Sequence, residues 1–377
     1  IIGPDDPIGA GGTDAVHRAG AKCFAPTKLC AQLESSKAFT RNLLKKHNID
    51  ASPDFLVSTN AQDPQRRFFY DQLQGQIVVK ADGLLGGKGV LIAGEHFSSF
   101  DAVESFALAS IEKFGRVVFE EKLIGQEFSL ISIVDGTTVL DTPAIQDHKR
   151  AYENDEGPNT GGMGCVSDEH HRLPFLSEYD IAHAHQITDQ TMKAIKSETG
   201  QAFVGVMYGG FIKTANGVKL IEYNARFGDP EALNILPIMK TDFLEVCQKA
   251  VDGRLSDIHH LEFEPVATVV RYLCPKGYPT NAVRNVPITT HFSLPQHKAQ
   301  EENQQVFYAS VAEENGQMIL KGSRAIGVLG IGKDLQEAYL NNQALIDKFE
   351  GPLFYRKDIG TIELIQSRVD HMNSILN

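Results

Sequence analysis

The chain has 377 residues, which is enough for about two to four domains of ordinary size. Its 36 Lys and Arg residues against 48 Asp and Glu give a net charge of −12, and no basic run is present, which argues against binding to a nucleic-acid backbone. The five cysteines are scattered without zinc-type spacing, and no apolar run reaches the roughly 18 residues that a membrane span needs. We therefore expect a cytoplasmic protein with reduced thiols that binds neither nucleic acid nor membranes.

Residues 1–52 have the pattern of a partial N-terminal domain, the end of an α/β unit. Short strands are expected at 1–2 and 22–24, separated by a Gly/Asp-rich loop and a short helix near residues 14–19. Ser35 and Ser36 then offer an N-cap for the next amphipathic helix. Because the chain starts inside this pattern and without Met, we expect that a further segment precedes it.

Residues 53–120 alternate between strand and helix patterns and form a compact α/β module of the size of a lid. Its helix is indicated by apolar residues that recur at the spacing of one helix face. The predicted elements are strands at 55–57, 76–81 and 90–93, a helix at 100–114 and a strand at 116–119.

The rest of the chain divides into a block with longer strands, 121–257, and an α+β block, 258–377. An Ala-Asn-Gly turn at 215–217 is a strong hairpin signal in the first block. The elements predicted there are strands at 128–134 and 138–140, a helix at 177–196, strands at 203–213 and 218–225, and a helix at 242–251. In the second block they are strands at 266–272, 305–311, 317–320 and 325–329 and a helix at 334–349.

The first segment with recognisable chemistry is the glycine-rich turn between Lys80 and Lys88. The backbone N–H groups of Gly86 and Gly87, together with two ammonium groups, suit a triphosphate. The spacing differs from that of a P-loop, because Lys88 is followed by Gly89 rather than by a hydroxyl residue. Considered alone, an ordinary hairpin turn with solvated lysines explains this pattern equally well.

The second segment follows a predicted strand and runs from Glu120 to Glu127. A strand end of this kind exposes backbone groups that can read an adenine edge, and a nearby carboxylate can hold ribose hydroxyls. By itself the segment is explained more simply as a charged strand exit.

The third segment contains Glu222, Asn224 and Arg226, which share one face of a predicted strand because side chains alternate along a strand. Glu222 and Asn224 present oxygen donors of the kind that Mg²⁺ prefers, and Arg226 supplies a planar fork for a phosphoryl oxygen. The structural alternative is the polar face of an ordinary antiparallel strand.

The fourth segment pairs a short charged cluster, Asp147–Arg150, with a glycine loop, Gly157–Gly164. The basic residues of the cluster attract an anionic substrate, and the loop can wrap a phosphate with its amides and the Thr160 hydroxyl. A surface loop with incidental charge is the alternative.

Taken in order, these segments resemble the glycinamide ribonucleotide synthetase family of ATP-grasp ligases. The resemblance starts at Gly3–Pro7, includes Leu33–Phe39 and the four segments above, and reaches Tyr355–Gly360, so it covers nearly the whole chain. Its most specific parts are Gly157–Gly164 and Arg226–Glu231.

The resemblance implies a fold of the α/β (α+β) class, the ATP-grasp fold. It implies four domains: a partial N-terminal Rossmann-like (pre-ATP-grasp) domain at 1–52, a mobile lid at 53–120, a catalytic ATP-grasp domain at 121–257 and a C-terminal α+β domain at 258–377. In the family, the segment upstream of this chain's start carries a glycine-rich loop that contributes to the phosphoribosylamine site.

The resemblance also implies roles for individual residues by motif match. The residues expected to bind ATP are Lys80, Gly86, Gly87, Lys88, Glu120, Leu123 and Glu127, and those expected to bind Mg²⁺ or Mn²⁺ are Glu222 and Asn224. Arg226 and Lys88 are the expected catalytic residues. The residues expected on the phosphoribosylamine and glycine side are Asp147, Lys149, Arg150, Pro158, Asn159, Thr160, Gly161, Gly162 and Met163.

The implied activity is the ATP-dependent joining of glycine to 5-phosphoribosylamine through a glycyl phosphate, a step of purine biosynthesis, by a monomer or a weak dimer. Two alternatives stay open: another ATP-grasp carboxylate–amine ligase, and a non-catalytic ATP-binding relative. The presence of Glu222, Asn224 and Arg226 together favours an enzyme, because a non-catalytic relative is expected to have lost at least one of them.

Overall fold

The structure is a computed structural model that describes residues 1–85, 89–291 and 303–377. The described residues form two compact units, each built from three segments of the chain. The first unit consists of Ile1–Thr142, Tyr179–Phe227 and Asp242–His260, and the second of Pro143–Glu178, Gly228–Thr241 and Leu261–Asn377. Among the helices within the described ranges, none combines the length and the apolar character that crossing a membrane requires.

The α-helices of the described residues are α1 (Asp5–Ala10), α2 (Gly12–Arg18), α3 (Gln32–Ser35), α4 (Lys37–Lys46), α5 (Gln65–Gln72), α6 (Phe100–Phe114), α7 (Glu178–Thr199), α8 (Glu231–Ile235), α9 (Phe243–Val251), α10 (Leu335–Ile346) and α11 (Ile362–Leu376). The strands are β1 (Phe55–Ser58), β2 (Ile77–Ala81), β3 (Val90–Ile92), β4 (Val117–Glu121), β5 (Gln126–Val134), β6 (Val139–Asp141), β7 (Gln146–Asp147), β8 (Arg150–Tyr152), β9 (Glu156–Asn159), β10 (Gly164–Ser167), β11 (Gly205–Thr214), β12 (Gly217–Asn224), β13 (Ala267–Pro275), β14 (Pro287–Thr290), β15 (Gln304–Tyr308), β16 (Val311–Glu314), β17 (Gln317–Leu320), β18 (Ile326–Gly332), β19 (Phe349–Glu350) and β20 (Leu353–Phe354).

The first unit contains a small antiparallel sheet with the strand order β1-β4-β2-β3. Helix α6 packs on this sheet through Val103 and Ala107, which are completely buried against Ile77, Val79 and neighbouring apolar side chains. The helix has the bounds that its apolar spacing predicts, and Gly115 ends it with a positive φ of 78°. The strand β2 delivers the first of the two lysines of the glycine-rich turn.

The first unit also contains a second antiparallel sheet with the strand order β12-β11-β5-β6. The predicted hairpin is confirmed, since β11 and β12 pair up to Thr214 and Gly217 on either side of the turn. Gly210 pairs with Glu222 but Phe211 pairs with Leu220, so β12 carries one extra residue at this point. A bulge of this kind bends the strand and turns a backbone carbonyl away from the ladder.

The second unit is built on an antiparallel sheet with the order β15-β18-β13-β10-β7, and β20 also pairs with β13. Helix α10 packs on β18 and β13. A smaller sheet has the order β16-β17-β14-β19, and β8 and β9 form a separate hairpin. The core between these elements is made of aliphatic side chains such as Leu320, Ile326 and Val328.

Some local predictions for the N-terminal residues are wrong. Residues 1–2 and 22–24 are not strands, and the helix α1 occupies much of the predicted Gly/Asp-rich loop, whereas α2 confirms the short helix predicted near residues 14–19. Segments of two or three apolar residues form strands only where a neighbouring strand pairs with them, and none does so here among the described residues. The prediction of an N-cap is confirmed, because Ser36 Oγ accepts a hydrogen bond of 3.0 Å from the Phe39 N–H at the start of α4.

Candidate functional site

Lys80, in β2, is almost entirely buried, with 5% of the residue exposed. Its Nζ lies 2.8 Å from Oε2 of Glu120 and donates a hydrogen bond of 3.2 Å to the carbonyl oxygen of Ile221, the extra residue of the β12 bulge. Burial lowers the pKa of Lys80, and the neighbouring Glu120 carboxylate acts in the opposite direction. The ammonium group is therefore held in one position between the two sheets of the first unit.

The carboxylate of Glu120 has a second cationic partner, Arg41 of helix α4. The Nε and Nη2 atoms of Arg41 donate hydrogen bonds of 2.7 and 2.9 Å to the two carboxylate oxygens. The same guanidinium donates to the carbonyl oxygens of Leu220 and Ile221, at 2.9 and 2.8 Å. Burial raises the pKa of Glu120, but Arg41 and Lys80 outweigh burial and lower it to about 2. Glu120 is therefore ionised at neutral pH.

The beginning of helix α4 holds the glycine-rich turn that follows β2. The two carboxylate oxygens of Asp82 accept hydrogen bonds from Ser36 Oγ at 2.9 Å and from the Ala38 N–H at 3.0 Å. Lys37 Nζ donates to the carbonyl oxygen of Gly83 at 3.1 Å. These contacts fix where the turn leaves the strand. The tip of the turn, with Gly86, Gly87 and Lys88, lies outside the described residues.

The end of β12 brings Asn224 and Arg226 together with a residue that the motif analysis did not single out, Glu34. Arg226 Nη2 lies 3.4 Å from the Asn224 side-chain oxygen and 3.1 Å from Glu34 Oε1. The other oxygen of Glu34 accepts a hydrogen bond of 2.8 Å from the Ala225 N–H. Burial raises the pKa of Glu34, and Arg226 lowers it. Glu222 lies two residues before Asn224 in β12, and its charge acts on Glu34 as well.

The predicted metal ligands can be tested against this geometry. No group of three or more His, Cys, Asp or Glu side chains that could hold a metal ion occurs among the described residues. Glu222 and Asn224 offer one carboxylate and one amide oxygen from the same face of β12. Mg²⁺ is commonly held by one or two protein ligands together with phosphate oxygens and water, so this donor set fits a metal that arrives with a nucleotide.

The residues expected to hold adenosine lie around the end of β4 and the beginning of β5. Leu123 is half-buried in the connection, and Glu127 is exposed in β5, opposite Ile212. The Glu120 carboxylate is occupied by Arg41 and Lys80, which leaves its backbone as the part that can face a base.

In the second unit, the two predicted substrate segments lie side by side. The carbonyl oxygen of Lys149 accepts hydrogen bonds from the backbone N–H and the hydroxyl of Thr160, at 2.8 and 2.9 Å. Further along, the Met163 N–H donates to the His148 carbonyl oxygen and the His148 N–H donates to the Gly164 carbonyl oxygen, at 2.8 and 3.0 Å. The charged cluster and the glycine loop therefore form one structural feature, as the sequence suggested.

Arg324 ties this glycine loop to the segment before α8. Its Nη1 donates to the carbonyl oxygens of Gly161, Gly162 and Asp229, at 2.9, 3.1 and 2.9 Å, and its Nη2 lies 2.8 Å from the Asp229 carboxylate. The guanidinium lies over the ring of Tyr272, and the Tyr272 hydroxyl donates a hydrogen bond of 2.7 Å to Asp229. One arginine thus fixes the loop through two carbonyl oxygens and joins it through a third to the segment before α8.

Asp147 lies directly under the same loop. Burial and the nearby charge of Glu231 raise the pKa of Asp147 well above its usual range. The loop approaches closely here: a Cβ on Gly162, whose φ is +112°, would lie 2.8 Å from Asp147 Oδ1 and 2.5 Å from the Pro230 ring. The position therefore requires glycine, both for its backbone angle and for the available space.

The remaining predicted substrate residues lie in the hairpin of β8 and β9. Pro158 and Asn159 are in β9, and Asn159 pairs with Arg150 in β8. Arg356, which is completely buried, donates to the Arg150 carbonyl oxygen at 3.3 Å and to the Asp155 carboxylate at 2.7 Å. The C-terminal part of the chain therefore supports this hairpin.

Sequence reasoning missed the residues that hold the predicted ones in place: Glu34, Arg41, Arg324 and Arg356. Glu34 and Arg356 lie within segments that carry the family resemblance, Leu33–Phe39 and Tyr355–Gly360, so the motif match could have indicated both. Arg41 occupies the buried face of α4 at helical spacing from Ala38 and Leu44, where an apolar residue is the ordinary expectation. Nothing local in the sequence distinguishes Arg324, because its hydrogen-bond partners are more than 90 residues away in the chain.

Two protein-family models match the chain. The model described as phosphoribosylglycinamide synthetase, ATP-grasp (A) domain, matches residues 35–232, and that described as phosphoribosylglycinamide synthetase, C domain, matches residues 268–362.

Curated relatives match over the full chain. The phosphoribosylamine–glycine ligases of Methanococcus maripaludis and Methanocaldococcus jannaschii are 43% and 42% identical to it, and each match covers 100% of this chain and 84% of the relative.

Solved structures extend the likeness to the fold. The crystal structure of phosphoribosylamine–glycine ligase from Thermotoga maritima superposes with a TM-score of 0.78 at 29% identity, covering 92% of this chain and 83% of the other. The biotin carboxylase domain of Hydrogenobacter thermophilus 2-oxoglutarate carboxylase gives 0.67 at 13% identity, covering 96% and 74%, a likeness of fold alone. The fold is the mixed α/β ATP-grasp fold that the resemblance implies, and the chain belongs to the phosphoribosylglycinamide synthetase family.

Proposed function

We propose that the chain joins glycine to 5-phosphoribosylamine at the expense of ATP, giving glycinamide ribonucleotide, ADP and phosphate in purine biosynthesis. The observation that carries this proposal is the 43% identity, over all of this chain, to a phosphoribosylamine–glycine ligase. The geometry supports it, because the first unit contains two cations, Lys80 and Arg226, that suit the phosphates of a nucleotide. It also contains the Glu222 carboxylate and the Asn224 amide oxygen, which suit the metal bound to that nucleotide. We place the reaction in the cytoplasm, in a monomer or a weak dimer, and keep the four domains with the boundaries predicted above.

The nucleotide belongs to the first unit in this proposal. Lys80, Gly86, Gly87 and Lys88 hold the phosphates, and the buried, hydrogen-bonded position of Lys80 supports its share of that role. Leu123, Glu127 and the backbone of Glu120 hold the adenosine, since the Glu120 carboxylate already has two cationic partners.

Glu222 and Asn224 hold Mg²⁺, or Mn²⁺ in its place. The bound metal ion would neutralise phosphate charge during transfer. Arg226, aligned by Glu34, and Lys88 stabilise the charge on the phosphoryl group as it moves. In this proposal Arg226 acts on the transition state rather than on bound ATP, so its loss lowers kcat more than it raises the KM for ATP, whereas the loss of Lys88, which also holds a phosphate of bound ATP, affects both.

The glycine and phosphoribosylamine side belongs to the second unit. The residues proposed to bind these substrates are Asp147, Lys149, Arg150, Pro158, Asn159, Thr160, Gly161, Gly162 and Met163. The hydrogen bonds between the Lys149 and Thr160 segments and the grip of Arg324 on the loop support a preformed site of this kind.

The chemistry requires no nucleophilic side chain. A glycine carboxylate oxygen attacks the γ-phosphorus of ATP, and the bond to the β-phosphate oxygen breaks to release ADP. The nitrogen of phosphoribosylamine then attacks the carbonyl carbon of the glycyl phosphate, loses a proton and expels phosphate. Positioning and charge neutralisation are what the protein must contribute to both steps.

Phosphate release tests the proposal. We expect release only when ATP, glycine and phosphoribosylamine are present together, with one glycinamide ribonucleotide formed for each phosphate. Glu222→Gln should lower turnover by about 100-fold or more, because it removes one anionic metal ligand, whereas Glu198→Gln, at an exposed ion pair with Lys46, should not. Release with a different acid–amine pair would assign the chain to another ligase activity, and ATP binding without release would identify a non-catalytic relative.

A further inference from the structure

Arg41 is a charged residue in a position where the fold would ordinarily place an apolar side chain. It lies on the face of α4 that also buries Ala38, Leu43 and Leu44, and 2% of the residue is exposed. A buried guanidinium is costly unless all of its hydrogen-bonding directions are satisfied, so its presence here calls for a reason beyond packing.

The contacts of Arg41 connect strand β4 with the bulge of β12, the two places to which Lys80 of β2 also binds. Two of its nitrogens bind both oxygens of Glu120, in β4 of the small sheet. Two of its nitrogens also donate to the carbonyl oxygens of Leu220 and Ile221, at the bulge of β12. Lys80 binds the same Glu120 carboxylate and the same Ile221 carbonyl oxygen. Arg41 and Lys80 thus share both of the acceptors that fix Lys80.

The net charge of the cluster formed by Arg41, Lys80 and Glu120 decides how strongly it attracts a phosphate. Lys80 and Glu120 alone would form a neutral pair, and a neutral pair attracts a phosphate weakly. Arg41 adds a second positive charge, so the three side chains together carry a net charge of +1. Among the described residues, the two contacts of Lys80 use two of the three N–H groups that an ammonium offers.

We propose that Arg41 is a positioning residue for ATP: it compensates the charge of Glu120 and thereby keeps the positive charge of Lys80 available to a phosphate of the nucleotide. Through the carbonyl oxygen of Ile221, it also fixes the place where Lys80 Nζ must lie. This inference rests on the proposed contact between Lys80 and ATP, and on no other part of the proposed function.

Charge-altering variants separate this role from a purely structural one. With Lys80 protonated, Arg41→Gln leaves the cluster with a net charge of 0, Glu120→Gln raises it to +2, and the double variant Arg41→Gln/Glu120→Gln restores +1. Because Glu120 opposes the effect of burial on the Lys80 pKa, the variants are compared at pH 6 as well as at pH 7.5, so that Lys80 keeps its proton without Glu120. The quantity to measure is the Kd for ATP with Mg²⁺ present, together with the KM values for ATP and glycine and the thermal unfolding midpoint. Arg67→Gln is the matched control, since Arg67 lies on the exposed surface of the same unit, in an ion pair with Asp71.

We expect Arg41→Gln to weaken ATP binding about tenfold or more, because a unit charge a few ångströms away is lost from a poorly solvated site. The KM for glycine should stay unchanged, and Arg67→Gln should bind ATP as the unaltered protein does. The double variant should recover ATP affinity to within about threefold of the unaltered protein, because its net charge is restored. Glu120→Gln alone should bind ATP at least as tightly as the unaltered protein.

A double variant that binds ATP as weakly as Arg41→Gln, or more weakly, would overturn the inference in favour of a structural role. Lys80→Met separates the inference from the function on which it rests. If Lys80→Met loses ATP affinity and Arg41→Gln does not, the role of Arg41 is wrong while the role of Lys80 stands. If Lys80→Met binds ATP normally, both assignments fail together. Should Arg41→Gln not fold, the comparison of Glu120→Gln with the double variant still decides, because the charge argument predicts that neither loses affinity.

Discussion

At the scale of single residues, Glu34 shows how a side chain outside the predicted site controls one inside it. One of its oxygens accepts a hydrogen bond from the Ala225 N–H, and the other faces the Arg226 guanidinium. Glu34→Gln keeps an oxygen for the Ala225 N–H but removes the charge that orients Arg226. The substitution therefore isolates the orientation of Arg226 from the backbone contact.

We expect Glu34→Gln to lower kcat by about tenfold, which corresponds to ~1.4 kcal/mol of transition-state stabilisation, with little change in the KM for ATP. The reason is that a misaligned Arg226 stabilises the moving phosphoryl group less well, while ground-state contacts to ATP persist. Steady-state kinetics with saturating glycine and phosphoribosylamine would measure both parameters. An unchanged kcat, or a rise in the KM for ATP at constant kcat, would contradict this role for Glu34.

At the scale of secondary-structure elements, the glycine loop before β10 depends on an arginine that arrives from just before β18. Arg324 fixes the loop through the carbonyl oxygens of Gly161 and Gly162. Backbone carbonyl oxygens of a loop are held in place only when donors reach them, and a planar guanidinium reaches several at once. The shape of the loop is therefore set by a contact that spans 163 residues of sequence.

Arg324→Gln should raise the KM for glycine or for phosphoribosylamine by about tenfold while leaving the KM for ATP unchanged, because the loop loses its anchor but the first unit is untouched. Arg324→Lys should restore little of this loss, since a lysine lacks the planar fork. The comparison needs initial rates with each of the three substrates varied in turn. Arg254→Gln, at an exposed ion pair with Asp257, serves as the control. Equal increases in all three KM values would speak against a local effect on the loop.

Helices and strands were predictable from the sequence where their residue pattern repeats often enough or contains a specific turn. Helix α6 has the bounds that its apolar spacing predicts, because 15 residues provide four turns of amphipathic pattern. The β11–β12 hairpin was likewise predictable from its Asn-Gly turn. Helix α1 was not, since six residues after Pro4 give too few repeats to distinguish a helix from a loop. Helices α5 and α11 also went unpredicted.

The sequence motifs single out Glu222, Asn224 and Lys80 as candidates because the residue types themselves carry the chemistry, and their roles stay predictions. The candidate site was not predictable where a residue acts through partners far away in the chain. Arg41 binds Glu120, which lies 79 residues further along the chain, and no pattern within α4 predicts that pairing. Charged residues on the buried face of a helix become informative only once the strands packed against that face are known.

At the scale of the whole molecule, several buried ionisable groups should make the protein sensitive to acid. In the first unit, the pKa of Glu120 is lowered to about 2, and in the second, Arg368 and Arg356 outweigh burial and lower the pKa of Asp155 to about 2. Each carboxylate therefore stabilises the fold fully above its ordinary pKa, near 4, and loses that contribution as the pH falls towards 2. Below about pH 4.5 these contributions to the stability of each unit should decline, which urea unfolding at pH 4.5, 4.0 and 3.5 would measure.

His148 extends this sensitivity to milder pH. Burial first, and then the charges of Arg356 and Arg368, lower its pKa to about 3, so the folded protein resists protonating a side chain that the unfolded chain protonates near pH 6.5. The contribution of His148 to stability should therefore be complete above pH 6.5 and fall by about 1.4 kcal/mol for each pH unit between 6.5 and 4.5, and it adds to the opposite contribution of Asp147, whose pKa is raised. His148→Gln should remove this slope while keeping the steeper decline at lower pH, and His17→Gln, at an exposed position, should leave the slope intact. Urea unfolding at intervals from pH 7.5 to 4.5 measures the slope directly, and an equal slope in His148→Gln would assign the acid sensitivity to other groups.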